Sequence, residues 1–117
     1  MLYKIAKAKE AYRYAVLGSV DTRNSLLHDA DDLEYGRLNF GTALFLPDGI
    51  LEPSINENET IYYVKEGSIT VTISKEEKSL VLKEGDSIRL MPGQGYALKN
   101  ETIKIAELLK VFLKNSD

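Results

Sequence analysis

Gly85-Asp86-Ser87-Ile88-Arg89-Leu90-Met91-Pro92-Gly93-Gln94-Gly95-Tyr96 reads as a turn, a short strand and a second turn. Gly85-Asp86 and Pro92-Gly93-Gln94-Gly95 carry turn chemistry, and Ile88 and Leu90 alternate with Ser87 and Arg89 between them. The same grammar extends upstream. Ile69, Val71 and Ile73 alternate with Ser68, Thr70 and Thr72, Lys75-Glu76-Glu77-Lys78 predicts a hairpin tip, and Leu80 and Leu82 resume the alternation. Ile61-Tyr62-Tyr63-Val64 is a β-branched and aromatic run closed by Glu66-Gly67. Leu38, Phe40, Thr42, Leu44 and Leu46 keep period-2 spacing up to Pro47-Asp48-Gly49, read as the turn that ends the run. Strands separated by turns at intervals of about 8–12 residues predict an all-β sandwich or closed barrel.

The flanks carry weaker signals. Residues 2–17 mix helical and strand patterns. Asp21-Thr22-Arg23-Asn24-Ser25-Leu26-Leu27-His28 predicts a short helix with Asp21 as N-cap, followed by an exposed acidic turn, Asp29-Ala30-Asp31-Asp32. That turn is no EF-hand, because the twelfth loop position is Phe40. Ile103, Ile105, Leu109, Val111 and Leu113 fit a strand, while Ile105, Leu108, Leu109 and Phe112 fit one helix face. The strand is preferred, since a barrel needs its returning pair. With no repeat or linker, residues 1–117 read as one domain. Residues 1–34 form an N-terminal segment that packs on the barrel or a dimer partner, and residues 35–117 form the barrel core.

Composition removes much chemistry. The 117 residues carry 15 Lys+Arg and 18 Asp+Glu, a net charge of −3, with no cysteine and one histidine, His28. Disulfides, thiol nucleophiles and Cys-ligated metals are excluded, and one imidazole makes no His-pair metal centre within a chain. The acidic balance and the lack of a Lys/Arg cluster argue against nucleic acid. Apolar runs are too short for a membrane helix, and charges scattered through the first residues leave no secretory h-region, so a cytoplasmic protein is expected. No Gly-x-Ser-x-Gly elbow, Walker loop or dinucleotide fingerprint occurs.

Two segments, in order, resemble the two sequence motifs of the cupin superfamily: Gly49 through Gly67, and Gly85 through Tyr96 followed by Asn100. Gly85, Gly93 and Asn100 fall in register with the second motif, and Met91 stands at its first proline position. The resemblance covers roughly residues 40–113 and implies a small antiparallel β-barrel of the jelly-roll (double-stranded β-helix) type. Typical cupins bind a divalent metal through two His and a Glu of the first motif and a His of the second. Here the Glu position is Thr60, with Glu59 one residue out of phase, and the second-motif His is Tyr96. The His-x-His pair falls at Ser54 and Asn56, or at Pro53 and Ile55. The expectation is therefore no bound metal and no cofactor.

In that register Ser54 or Asn56, Thr60, Tyr62, Tyr96 and Asn100 line the place where the metal would sit, a polar set suited to a small neutral or sugar-like ligand. The alternative is that these side chains fill the barrel, leaving an interaction module without a cavity. A second alternative makes Tyr62 and Tyr96 the acid–base groups of a metal-independent epimerase or isomerase, a class the resemblance includes. His28 reads as a surface or half-buried residue near a helix end. Tyr3, Ile5, Tyr12, Tyr14, Val16 and Leu17 carry more apolar surface than a free tail should, which with the resemblance leads to an expected homodimer. The composite expectation is a metal-free binding, accessory or regulatory protein for a small polar metabolite.

Overall fold

In the computed structural model, which describes residues 2–115, the alternating segments pair as strands. The outermost positions of the expected segments, residues 1, 116 and 117, lie outside the described residues. Nine strands are described: β1 (Tyr12–Tyr14), β2 (Ser19–His28), β3 (Leu38–Ile55), β4 (Thr60–Glu66), β5 (Ser68–Ile73), β6 (Lys78–Lys83), β7 (Ser87–Leu90), β8 (Gly95–Lys99) and β9 (Ala106–Leu113). Seven run in the order β6-β5-β8-β3-β9-β4-β7, with β2 added on β3 and β1 on β2. The described pairings are antiparallel. The sheet curls into a nearly closed barrel around Val64, Ile69, Val71, Leu98, Ala106 and Leu108, all buried. Alternate residues reach this core because successive strand side chains point to opposite faces.

Three expectations are corrected. Pro47-Asp48-Gly49 does not end its strand, because β3 runs on through it to Ile55. The three residues make a bend instead: Asp48 adopts φ 65°, its N–H donates to Asn100 O at 2.9 Å, and Asn100 N–H donates to Gly49 O at 2.9 Å. Before the bend β3 pairs with β9, and after it with β8, so the edge of β3 away from β2 serves two neighbours.

The expected helix over Asp21–His28 is strand β2, paired with β3 from Ser19↔Leu51 to His28↔Phe40. A strand partner from distant sequence overrides the local signal, and only long-range pairing reveals it. Asp21 is not a cap but the left-handed residue (φ 54°) at a register shift between Val20 and Thr22. Residues 29–32 do turn, as a 3-10 helix over Ala30–Asp32. Asp29 Oδ1 accepts from Asp31 N–H, and the Asp32 carboxylate accepts from Asp29 N–H.

The final segment is a strand, yet its face is the reverse of the one the odd-numbered apolar residues suggest. Ala106 and Leu108 point into the core, with Lys110 and Phe112 continuing that row, while Leu109 and Val111 lie on the outer face beside Tyr63 and Ile61. The corner between β4 and β5 needs glycine. Gly67 has φ +76°, and a Cβ there would lie 2.8 Å from Ile105 O.

Candidate functional site

Tyr62 comes from β4 and Tyr96 from β8, both on inward faces and both buried. Their hydroxyls meet at 3.1 Å, with ring centroids 6.1 Å apart and tilted by 52°. Burial pushes the Tyr62 hydroxyl well above its ordinary pKa, and the charge and hydrogen bond of Tyr96 and the charge of Tyr14 add to this. Burial also raises Tyr96, while hydrogen bonds from Tyr62 and Ser54 work in the opposite direction. Both phenols therefore keep their protons at neutral pH. They are hydrogen-bond donors there, not bases.

The six residues singled out from the sequence divide into groups. Ser54 is exposed on β3 and lies opposite Tyr96 in the β3–β8 register. Thr60 precedes Tyr62 by one inward position and is buried, but its hydroxyl is turned to Asn58 O at 2.7 Å and Asn56 Oδ1 at 3.3 Å. Asn56 uses its amide as a clamp, donating to Asn58 O, Leu90 O and Met91 O at 2.6–3.2 Å. Asn100 lies four residues beyond Tyr96, roughly 13 Å by strand rise, at the other end of β8. It donates to Phe45 O at 2.9 Å and Lys104 O at 2.7 Å, and accepts from Thr102 N–H and Oγ1. Thus Ser54, Tyr62 and Tyr96 come together, Asn56 and Thr60 tie the adjoining loop, and Asn100 fastens a distant corner.

The register left open by the sequence is settled by Glu59. Its carboxylate accepts from Arg89 Nε at 2.7 Å in an ion pair away from the core, while Thr60, Tyr62 and Val64 point inward. His28 ends strand β2 rather than a helix, half-buried against Phe40 with ring centroids 6.5 Å apart. It stands beside the surface depression that includes Lys4, Asp32 and Tyr35, not with the tyrosines.

Lys110 is the site residue that sequence reading missed. It faces inward from β9, opposite Tyr62 on β4 and Gly41 on β3. Its Nζ lies 5.5 Å from the Tyr62 ring centroid and 4.8 Å from that of Phe112. No carboxylate lies within salt-bridge distance of Nζ among the described residues. Burial consequently pulls its pKa below the ordinary lysine value. The available signal was the even-numbered row of β9, in which a lysine interrupts Ala106, Leu108 and Phe112.

This lysine borders a void walled by Val16, Asn24, Ala43, Phe45, Leu51 and Tyr62, of about 10 Å³, no more than one water's space. Val16, Ser19, Thr22 and Asn24 also border an outer groove of about 560 Å³ between β2 and the Ala15–Gly18 connection. Arg13, Tyr14 and Arg23 stand along that groove. The barrel centre is packed, and the groove leads towards the corner that Tyr62 and Lys110 border.

Replacing Lys110 with methionine is expected to stabilise the protein at pH 7 by about 1 kcal/mol, because an unpaired, desolvated ammonium costs more than an apolar side chain. The folded-state pKa lies below the unfolded value, so the penalty is complete at pH values below the folded pKa. It is relieved as pH rises towards the unfolded value, near 10.5. Urea titrations of both proteins at pH 7 and pH 10 should show the gain shrinking as pH rises; an equal gain at both would contradict it.

A family model described as a cupin domain matches residues 41–112. The chain belongs to the cupin family. A beta-D-galactosidase of Mycobacterium tuberculosis is 29% identical to this cupin over 106 residues, covering 91% of this chain and 90% of the relative. Among solved structures, a polyketide cyclase of Streptomyces resistomycificus superposes with a TM-score of 0.82 at 20% identity, covering 96% of this chain and 80% of the other. A predicted oxalate decarboxylase of Thermotoga maritima gives 0.80 at 17% identity, covering 96% and 100%. At these identities the two structures establish the shared fold.

The metal that cupins typically carry does not suit this set of side chains. The corresponding positions offer hydroxyls and an amide, and Asn56 and Thr60 are already bonded to each other and to backbone carbonyls. Among the described residues no group of three His, Cys, Asp or Glu is placed to hold a metal ion.

Proposed function

We propose that this cupin binds a small, oxygen-rich organic molecule without a metal, in the groove between β2 and the Ala15–Gly18 connection. The reading rests on one observation: the groove shares four side chains with the small void that Tyr62 and Lys110 border, where these two residues offer donors and an aromatic face. Hydroxyls and carbonyls of a sugar-like ligand accept from such donors, and the Tyr62 ring supplies an apolar wall. Deep contact with Lys110 requires Val16, which packs on the core, to shift. Binding without turnover would suit an accessory or regulatory role.

The relative's activity suggests galactosides as the first ligands to try. Galactose, galactonate and methyl galactoside are expected to include one compound that raises the melting temperature. A ligand at one hundred times its Kd adds about 2.7 kcal/mol. Tyr62→Phe should weaken that shift while the protein remains folded. No shift with any of a broad panel of sugars and small acids would overturn the proposal.

Galactoside hydrolysis is the second reading, favoured by the relative's name alone. Glycosidases ordinarily need two carboxyl groups about 5–9.5 Å apart across the scissile bond. No Asp or Glu is among the buried residues described, and Asp21 is the one acid bordering the groove. Binding therefore accounts for the site better than hydrolysis; steady nitrophenol release from nitrophenyl galactoside, abolished in Asp21→Asn, would reverse that preference.

A further inference from the structure

We propose that Lys110 is a carbonyl-reactive amine, condensing with a small aldehyde or ketone at the inner end of the β1–β2 groove. This rests on the groove being the way in, but not on the ligand being a sugar. A lysine in the inward row of β9 is a poor choice for packing, since a methionine or leucine would fill the same space without a charge. Its Nζ lies near two aromatic rings and, among the described residues, has no carboxylate within salt-bridge distance. It borders a void of about one water's volume that shares four side chains with the outer groove, so a small carbonyl compound reaches Nζ once Val16 shifts. An amine so placed has a larger uncharged, nucleophilic fraction than an exposed lysine at the same pH, the condition carbonyl addition needs. The lowered pKa agrees with this but adds nothing the placement lacks.

The neighbouring groups complete the step. Nζ adds to the carbonyl carbon, and the carbonyl oxygen takes a proton from the Tyr62–Tyr96 hydroxyl pair. Nitrogen returns a proton to that pair. The carbinolamine then expels its oxygen as water, with the second nitrogen proton, leaving an imine. The balance is one amine and one carbonyl giving one imine and one water, with no oxidant or reductant. Two phenols that stay protonated at neutral pH are suited to donating at the oxygen.

Glycolaldehyde and glyoxylate, each supplied with cyanoborohydride to reduce any imine to a stable secondary amine, are the probes. Brief reaction at pH 7 followed by peptide mapping should show Lys110 labelled about tenfold faster than exposed lysines such as Lys78 and Lys83. Lys110→Met should lose that fast phase alone, and Tyr62→Phe should slow it with the melting temperature retained. Labelling of Lys110 no faster than the exposed lysines, in protein shown to be folded, would overturn the proposal, as expected for an amine that merely stacks on rings. Ligand-induced thermal shifts without fast labelling would leave the binding function standing and refute this one. Fast labelling with no thermal shift from any ligand would do the reverse.

Discussion

Asn100→Ala is expected to lower the unfolding free energy by about 3 kcal/mol, and the melting temperature by roughly 12 °C. Asn100 is completely buried, and its amide serves carbonyls from two separate segments, Phe45 and Lys104. Its Oδ1 meanwhile accepts from Thr102 N–H and Oγ1. Truncation strands several buried polar groups at once, which is worse than losing the bonds alone. The same corner contains the bend of β3, where Asp48 N–H and Gly49 O bond to the Asn100 backbone. Urea denaturation of the variant measures the loss. Were Asn100 instead chiefly a ligand contact, stability would hardly move and ligand affinity would fall. A change below 1 kcal/mol would thus refute the structural role assigned here.

Leu108→Ala is expected to cost about 3 kcal/mol as well, within the usual range for a buried leucine reduced to a methyl group. Leu108 has no exposed surface and lies between Ala43 of β3 and Val64 of β4 in the two registers it joins. Backbones on both sides hold the space open, so little relaxation can refill it. Leu113→Ala, at the exposed end of the same strand with 37% of its surface free, should cost less than 1 kcal/mol. Equal losses at the two positions would mean that β9 is not the central strand described here.

Much of the barrel was legible because its strands alternate under a physical compulsion. Ile69, Val71 and Ile73 must face inward together, and the turns at Gly85-Asp86 and Pro92-Gly93 mark where they cannot continue. β2 was illegible for the opposite reason. Its side chains are mostly polar and half-buried, and only pairing with β3 makes it a strand. The face of β9 was hidden because both its faces are largely apolar: Leu109 and Val111 outside compete with Leu108 and Phe112 inside. That inversion concealed Lys110, since a lysine on the wrong face reads as an ordinary surface charge. The tyrosine pair, by contrast, followed from motif spacing, while the demands of backbone carbonyls on Asn56 and Asn100 depend on loops whose paths no local pattern records.

The position of β9 bears on how the protein is made. This late stretch of chain lies between β3 and β4, so both are left with bare edges until residues 106–113 arrive. During synthesis the barrel cannot close by simple accretion from its first strand. Until residues 106–113 are free to pair, the sheet presents two unpaired β-edges separated by a gap one strand wide, a template for association with other chains. Closure then waits on contacts between distant parts of the sequence, the kind that makes folding slow. Any delay in the arrival of β9 is therefore a period of aggregation risk for this cupin.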